Sequence, residues 1–351
     1  MFWLVLVTLI CSLASVLMWL GPVHDQAVHD PLSPPLEHKP VAADSAAVPL
    51  LPHPPPITPR PAPPAAPAGA MHPIARPDPV WLEAAPHIPG GFLPRIAADG
   101  RTPMQVYAAG FDATDHHPRV AILVAGMGMN LAESEAAVAK LPGAMSLAIS
   151  PYATKLDDLL DHARSAGHEL LISLPLEPAG YPLNDPGHHA LLTGAPIAEN
   201  AQRLEWAITR FNGFVGATGA LGELRGERFA ASLGQMAPLL DTLAERGLLY
   251  VDPRPNARLI GAPRQSAIAY RGVDLVVDDA AENGGAAGGA AMDAALARLE
   301  KLAVARGSAI GLVGRPSPLM VDRLGVWALG LAGHGVALAP VSAVVQMPQA
   351  P

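Results

Sequence analysis

The chain has 351 residues, of which 50% are hydrophobic and 15% are charged, and its formal net charge at pH 7 is -8. This acidity and the lack of a basic stripe in the sequence exclude nucleic acid as the main partner, because phosphate contacts require clustered Lys and Arg. The single cysteine, Cys11, lies in an apolar N-terminal run, so a disulfide framework and a cysteine zinc site are excluded as well.

The first 20 residues, from Met1 to Leu20, contain no charged side chain. A helix of this length is about 30 Å long, which matches the hydrocarbon thickness of a bilayer. The segment lacks the basic start and the small-residue exit of a cleaved signal peptide. The pattern therefore predicts a transmembrane anchor over residues 1–21, with a signal peptide as the alternative.

Residues 22–92 form a second predicted region, which is rich in Pro and Ala and has no apolar periodicity. Runs such as Pro54-Pro55-Pro56 favour the extended polyproline II conformation, at about 3.1 Å per residue. The sequence predicts a disordered spacer here, followed by a folded domain over residues 93–348. A proline-rich ligand for a peptide-binding domain is the alternative interpretation of the spacer.

From residue 119 onward, short apolar runs alternate with amphipathic stretches, which predicts strands that alternate with helices. The predicted strands cover residues 119–124, 145–149, 169–174, 214–217, 248–251, 273–277, 309–313 and 336–338. This order is typical of an α/β fold with a parallel sheet, and the strand count is close to that of a barrel. The Gly-Ala stretch at residues 284–291 is expected to be a flexible insertion before a helix that begins at Met292.

Functional side chains in parallel βα folds lie at the carboxyl ends of the strands. The candidates at these ends are Ser173, Glu177, Asp252, Arg254, Asp278 and Arg315. Asp252 and Arg254 are spaced either to line a site or to form a structural ion pair. Asp185 is either a turn residue in its Asn-Asp-Pro-Gly sequence or, with His188 and His189, part of a two-histidine metal site.

Several segments resemble the divergent polysaccharide deacetylase family of bacterial envelope proteins. They lie between about residues 93 and 345 and include Leu174-Pro175-Leu176-Glu177-Pro178, Asn184-Asp185-Pro186-Gly187 and Pro340-Val341-Ser342-Ala343. The resemblance implies a distorted (β/α) barrel of seven to eight parallel strands and a role in the metabolism of cell-envelope glycans. In typical members, a divalent metal such as zinc, held by Asp and His, activates water against an N-acetyl group. The resemblance also implies a single-pass protein of the inner membrane, with its folded domain on the periplasmic or extracytoplasmic side.

The sequence departs from this family pattern at the expected metal ligands. Ala125 and Gly126 stand where typical members carry two aspartates, and Ala220 and Arg315 stand where they carry histidines. Methyl groups and a guanidinium do not bind a cation, so the sequence predicts no metal and no other cofactor.

Three functions remain open from the sequence. The first is a catalytically silent domain that binds a cell-envelope glycan or an envelope protein, with Ser173, Glu177, Asp185, Arg254 and Arg315 as candidate binding residues. The second is an active metal-dependent N-deacetylase, a C–N hydrolase with a rebuilt all-carboxylate site in which Asp252 and Asp278 are catalytic and Glu177 completes the set. The third is a structural protein whose spacer bridges membrane and cell wall.

Overall fold

The structure is a computed structural model that describes residues 72–257, 268–279 and 285–346. The predicted anchor and most of the predicted spacer lie outside these residues. Within the described ranges, no helix combines the length and the apolar character needed to cross a membrane.

The folded domain begins earlier than the sequence predicted. Pro79–Trp81 forms a 3-10 helix, and the short strands β1 (Leu82–Ala84) and β2 (Phe92–Pro94) pair in antiparallel fashion. The side chains of Ile74 and Trp81 are buried. Residues 72–92 are therefore not spacer, because the buried side chains of Ile74 and Trp81 hold the segment on the domain. The proline-rich composition of the region hides these two apolar residues.

Helices and strands alternate along the rest of the described chain. The helices are α1 (Pro103–Tyr107), α2 (Leu131–Lys140), α3 (Asp157–Ser165), α4 (Ile197–Ile208), α5 (Glu227–Ala231), α6 (Leu233–Glu245), α7 (Gly285–Arg306) and α8 (Pro318–Gly330). The strands are β3 (Arg119–Met127), β4 (Ser146–Ile149), β5 (Leu170–Ser173), β6 (Gly216–Thr218), β7 (Leu249–Asp252), β8 (Tyr270–Gly272), β9 (Leu275–Val276), β10 (Ser308–Val313) and β11 (Ala337–Leu338). Each of the eight predicted apolar runs overlaps one of these strands.

The prediction of a flexible insertion at residues 284–291 is wrong, because α7 already begins at Gly285. The small side chains let this part of α7 lie close to α8. A Cβ atom at Gly289 would lie 2.9 Å from Nη2 of Arg323. Packing against a neighbouring helix thus overrides the low helix propensity of the glycines.

The main sheet is parallel and curled, with the strand order β8-β7-β6-β5-β4-β3-β10-β9, and β11 pairs with the start of β3. Its two edge strands, β8 and β9, are separated in the chain by residues 273 and 274 alone. Val273 N donates to Asp252 O of β7 at 2.9 Å, and Asp274 N donates to Ile310 O of β10 at 2.8 Å. The sheet therefore curls until one segment of chain contacts both β7 and β10. The predicted α/β fold with a parallel sheet is confirmed, and in place of the distorted barrel that the resemblance implies, the structure has a curled half-barrel sheet.

Apolar side chains form two layers, because successive residues of a strand point to opposite faces. In β3, Val120, Ile122 and Val124 pack against the helices. Ala121, Leu123 and Ala125 instead join the apolar cluster on the inner face of the curl. The inner face is thus packed with side chains, and polar groups approach it at the two ends of the strands.

The amino-terminal end of the sheet is closed by a buried polar network around Glu169. Its Oε1 accepts hydrogen bonds from Ser146 Oγ at 2.7 Å and Ser342 N at 3.0 Å. Its Oε2 accepts hydrogen bonds from Ser342 Oγ at 2.5 Å and Ala109 N at 3.3 Å. This carboxyl group connects β4 and β5 to chain segments that precede β3 and follow β11. Burial raises the pKa of Glu169 above its usual value, although the four donors act in the opposite direction.

Candidate functional site at the carboxyl ends of the strands

Three loops meet at the carboxyl end of the sheet through their backbones. Gly126, in β3, has a φ of +70°. A Cβ atom on it would lie 2.8 Å from Gly314 O after β10 and 3.6 Å from Gly222 Cα in the loop after β6. A side chain at position 126 is therefore excluded twice, by the left-handed backbone and by contact with a neighbouring carbonyl.

The residues at the expected ligand positions do not fit the divalent metal that the resemblance implies. Ala125 and Ala220 are fully buried in the inner apolar cluster, and Arg315 is exposed. In the part of the chain that the structure describes, no three His, Cys, Asp or Glu side chains are grouped closely enough to hold a metal ion. The proposed carboxylate set of Asp252, Asp278 and Glu177 is thus not assembled as a metal site.

Asp252 is held in an ion pair at the end of β7 and is 1% exposed. Its carboxylate accepts hydrogen bonds from Arg254 Nε at 2.9 Å, Arg254 Nη2 at 2.7 Å and Tyr270 Oη at 2.9 Å. Tyr250, two residues earlier and so on the same face of β7, packs in the outer layer against the helices. Of the two interpretations of Asp252 and Arg254, the structure has the ion pair. Burial and the nearby Asp252 raise the pKa of Tyr270, which keeps its hydroxyl a donor.

Glu177 joins the loop after β5 to the start of α5. Its Oε2 accepts hydrogen bonds from Thr193 N at 2.5 Å and Thr193 Oγ1 at 2.7 Å. Its Oε1 lies 3.0 Å from Arg228 Nη1. These partners position the loop, so both oxygens of Glu177 are engaged within the protein.

The other two predicted binding residues lie in different surroundings. Ser173, at the end of β5, is buried, and its hydroxyl has no hydrogen-bond partner among the described residues. Asp185 is exposed, and its Oδ1 accepts a hydrogen bond from Gly187 N at 2.8 Å, as in an ordinary Asx turn. The predicted site residues therefore do not converge on one point.

A polar cavity of about 350 Å³ lies where β9 and β10 end and α8 begins. Its charged and hydroxyl-bearing lining residues are Glu223, Arg225, Asp278, Asp279, Arg315 and Ser317. Only Asp278 and Arg315 were predicted from the sequence. The other four were not predicted. For two of them, Glu223 and Arg225, the signal in the sequence was the presence of charged residues in the loop after β6.

Asp278 organises the wall of this cavity. Its Oδ2 accepts hydrogen bonds from Gly314 N at 2.7 Å and Arg315 N at 3.2 Å. Burial raises the pKa of the Asp278 carboxyl. Arg225 and Asp279 neutralise each other through two hydrogen bonds of 3.0 and 2.8 Å.

The guanidinium group of Arg315 has no such partner. Within the described ranges, it makes no ion pair and no hydrogen bond, and the residue is exposed at the cavity. It is therefore a cationic donor that is available to a ligand.

Comparisons with known proteins agree with this fold. A family model for divergent polysaccharide deacetylases matches residues 122–345. The crystal structure of the uncharacterized protein ATU2773 from Agrobacterium tumefaciens C58 is similar, with 30% sequence identity and a TM-score of 0.66 over 73% of this chain and 100% of that chain.

A second solved structure has a weaker similarity. It is a protein from Enterococcus faecalis V583 that has been assigned to cellobiose-phosphate cleavage, with 11% identity and a TM-score of 0.44 over 66% of this chain and all of that one. A similarity this low carries no argument about fold or function. No curated protein matches the sequence. Because the family model covers more than half of the chain, the protein belongs to the divergent polysaccharide deacetylase family.

Proposed function

We propose that this protein binds a cell-envelope glycan at the carboxyl end of its sheet and does not hydrolyse it. Membership of a deacetylase family supports a carbohydrate ligand. Two neighbouring features of this end support binding without hydrolysis. They are the close backbone contact between Gly126 and Gly314 and the polar cavity beside it.

The main observation against hydrolysis is the contact between Gly126 and Gly314. Deacetylation by the chemistry of the family requires a metal-activated water, which in turn requires about three convergent ligands. At Gly126, a carboxylate would need a Cβ atom 2.8 Å from a carbonyl oxygen. Restoring that ligand would require the backbone of β3 or β10 to move, so the loss extends beyond the identity of a side chain.

The cavity supports binding because it offers both kinds of hydrogen-bonding group that sugar hydroxyls need. Arg315 provides N–H donors that make no hydrogen bond within the described ranges, and Asp278, whose Oδ2 accepts from Gly314 N and Arg315 N, adds carboxylate acceptors. Sites for small polar ligands are concave and contain a few such groups in fixed positions. The same cavity is also compatible with an envelope protein, which the binding experiment below distinguishes from a glycan.

The proposed location follows from the family and from the N-terminal sequence. Residues 1–20 would anchor the protein in the inner membrane as a single span, and the folded domain would face the periplasmic or extracytoplasmic side. A glycan ligand is accessible to the protein only on that side.

The first test measures metal and acetate. The full-length protein, purified in detergent, is incubated with zinc or manganese and with N-acetylglucosamine oligosaccharides, and bound metal and released acetate are quantified. We expect no stoichiometric metal and no acetate above the protein-free control. Stoichiometric metal together with acetate release that a chelator abolishes would show an active deacetylase and overturn the proposal. In that case, Asp278→Ala would abolish acetate release if the rebuilt carboxylate set were correct.

The second test measures binding to purified cell-wall glycan that has been freed of protein. Arg315→Ala is expected to weaken retention by about tenfold, because a charged donor is lost. Arg298→Ala is the matched control, since Arg298 is an exposed arginine of α7 outside the cavity. Equal retention of the two variants would contradict a role for the cavity, and retention that requires added envelope protein would indicate a protein partner.

A further inference from the structure

Four aromatic rings form a continuous surface away from the cavity, and we call it the ring shelf. Tyr152 comes from the loop after β4, His188 and His189 come from the loop after β5, and Trp206 comes from α4. The His189 ring stacks on Trp206 with centroids 3.7 Å apart and an angle of 17° between the planes. The other centroid distances are 4.4 Å for His188–His189, 5.3 Å for Tyr152–Trp206, 5.5 Å for Tyr152–His188 and 6.2 Å for His188–Trp206.

The shelf is held in place by contacts that do not involve a ligand. Tyr152 Oη accepts a hydrogen bond from His189 N at 3.2 Å. Gly187 has a φ of +105°, and a Cβ atom there would lie 2.7 Å from the Tyr152 ring. Arg210 lies over Trp206 at 5.3 Å from the ring centroid, and its Nε donates to Pro151 O at 3.0 Å. A surface fixed in this way loses little conformational entropy when it binds a ligand.

The polar edges of the shelf are open. His188 is exposed, and among the described residues neither its ring nitrogens nor Trp206 Nε1 take part in a hydrogen bond. Asp185 adds an exposed carboxylate in the same loop, with only its Oδ1 engaged. The shelf therefore combines one exposed and three partly exposed aromatic rings with unpartnered donors and acceptors.

We infer that the ring shelf is a binding surface for the pyranose units of a saccharide chain. A pyranose has a C–H face that stacks on aromatic rings and a rim of hydroxyls that bond to polar ring edges. A nucleobase stacks as well, but a net charge of -8 disfavours a polyanion. The two-histidine metal site predicted with Asp185 is not assembled, since no three ligand side chains are grouped in the described ranges.

This surface is a second site, and only its ligand class rests on the proposed function. The shelf lies on β4, β5 and α4, whereas the cavity lies on β9, β10 and α8. Each can therefore fail without the other.

The test measures dissociation constants of the full-length protein in detergent for cellohexaose and for the hexamer of N-acetylglucosamine. His188→Ala is expected to weaken the binding of at least one of them by about fivefold, because one aromatic stacking partner is lost. Gly187→Ala, which displaces Tyr152, should weaken the binding of the same ligand. His116→Ala is the matched control, since His116 is an exposed histidine remote in sequence and without a contact among the described residues.

Thermal midpoints equal to that of the wild type would show that the variants are folded. Wild-type affinity in both His188→Ala and Gly187→Ala would overturn the inference, as would tighter binding of a single-stranded DNA 12-mer than of either sugar. No detectable binding of either hexasaccharide by the wild type would also overturn it. If only Arg315→Ala weakens binding, the shelf inference fails and the proposed function stands; if only the shelf variants do, the cavity has no part in glycan binding.

Discussion

The two ends of strand β5 differ in how completely the buried polar side chain beside each of them is hydrogen-bonded. At the amino end, Glu169 accepts four hydrogen bonds from Ser146, Ser342 and Ala109. At the carboxyl end of the same strand, the buried hydroxyl of Ser173 has no partner among the described residues. Buried polar groups are normally satisfied, and in parallel βα folds the amino end serves stability while the carboxyl end serves function. The contrast therefore teaches that, along β5, the chain satisfies the polar group before the strand and leaves the hydroxyl at its end without a partner among the described residues.

Glu169→Ala should produce the largest effect. It leaves two hydroxyls and two backbone N–H groups without their acceptor, so we expect a loss of about 3 kcal/mol in the free energy of unfolding. Because burial raises the pKa of Glu169, its contribution is fully present below the unfolded-state pKa and decreases as the pH rises through the folded-state pKa. Urea denaturation should thus show a larger loss at pH 5 than at pH 8. A loss no greater than that of Ser342→Ala would mean that the network is not centred on Glu169.

His168 should give the next largest effect at this end, through pH. Its ring is buried, with Nδ1 2.8 Å from Met145 O, and burial lowers its pKa. A lowered folded-state pKa makes the unfolded chain take up the proton first, so stability is lost as the pH falls below about 6.5. We expect His168→Asn to make this decrease in unfolding free energy shallower between pH 7 and pH 5. His116→Asn is the matched control, at an exposed histidine that makes no hydrogen bond or ion pair within the described ranges.

Ser173→Ala should have the smallest effect, and that result would sharpen the contrast most. A buried hydroxyl without a partner contributes nothing that alanine lacks, so the free energy of unfolding should change by less than about 0.5 kcal/mol or increase slightly. A loss of unfolding free energy above 1 kcal/mol in urea denaturation would be on the scale of a typical hydrogen bond. It would show that Ser173 has a partner and would remove the contrast between the two ends of β5.

Hydrophobic periodicity predicted the sheet well, because it depends only on residues that are close together in the sequence. Each of the eight predicted runs overlaps a strand, but β8 was missed, since three residues carry no periodic signal. The start of α7 was missed for another reason: its Gly-Ala composition favours a loop, and only contact with Arg323 explains the helix.

The site was less predictable, because its geometry depends on residues that are distant in sequence. The spacing of Asp252 and Arg254 allowed an ion pair and a site equally, and the paired side-chain geometry that decides between them is visible only in the structure. The approach of Gly126 to Gly314 spans most of the domain and leaves no local signature. His188 and His189 were recognised as adjacent loop residues, but their stacking on Trp206 depends on how the loop folds back onto α4.

The segment that carries both β8 and β9 has a consequence for how molecules of this protein meet one another. An open parallel sheet ends in two rows of unpaired N–H and C=O groups, which can recruit a strand from a second molecule and start aggregation. Here the first and last strands of the order are consecutive pieces of one stretch of chain, hydrogen-bonded to β7 and to β10. With three residues in β8 and two in β9, the two borders offer a second molecule little backbone for intermolecular strand addition.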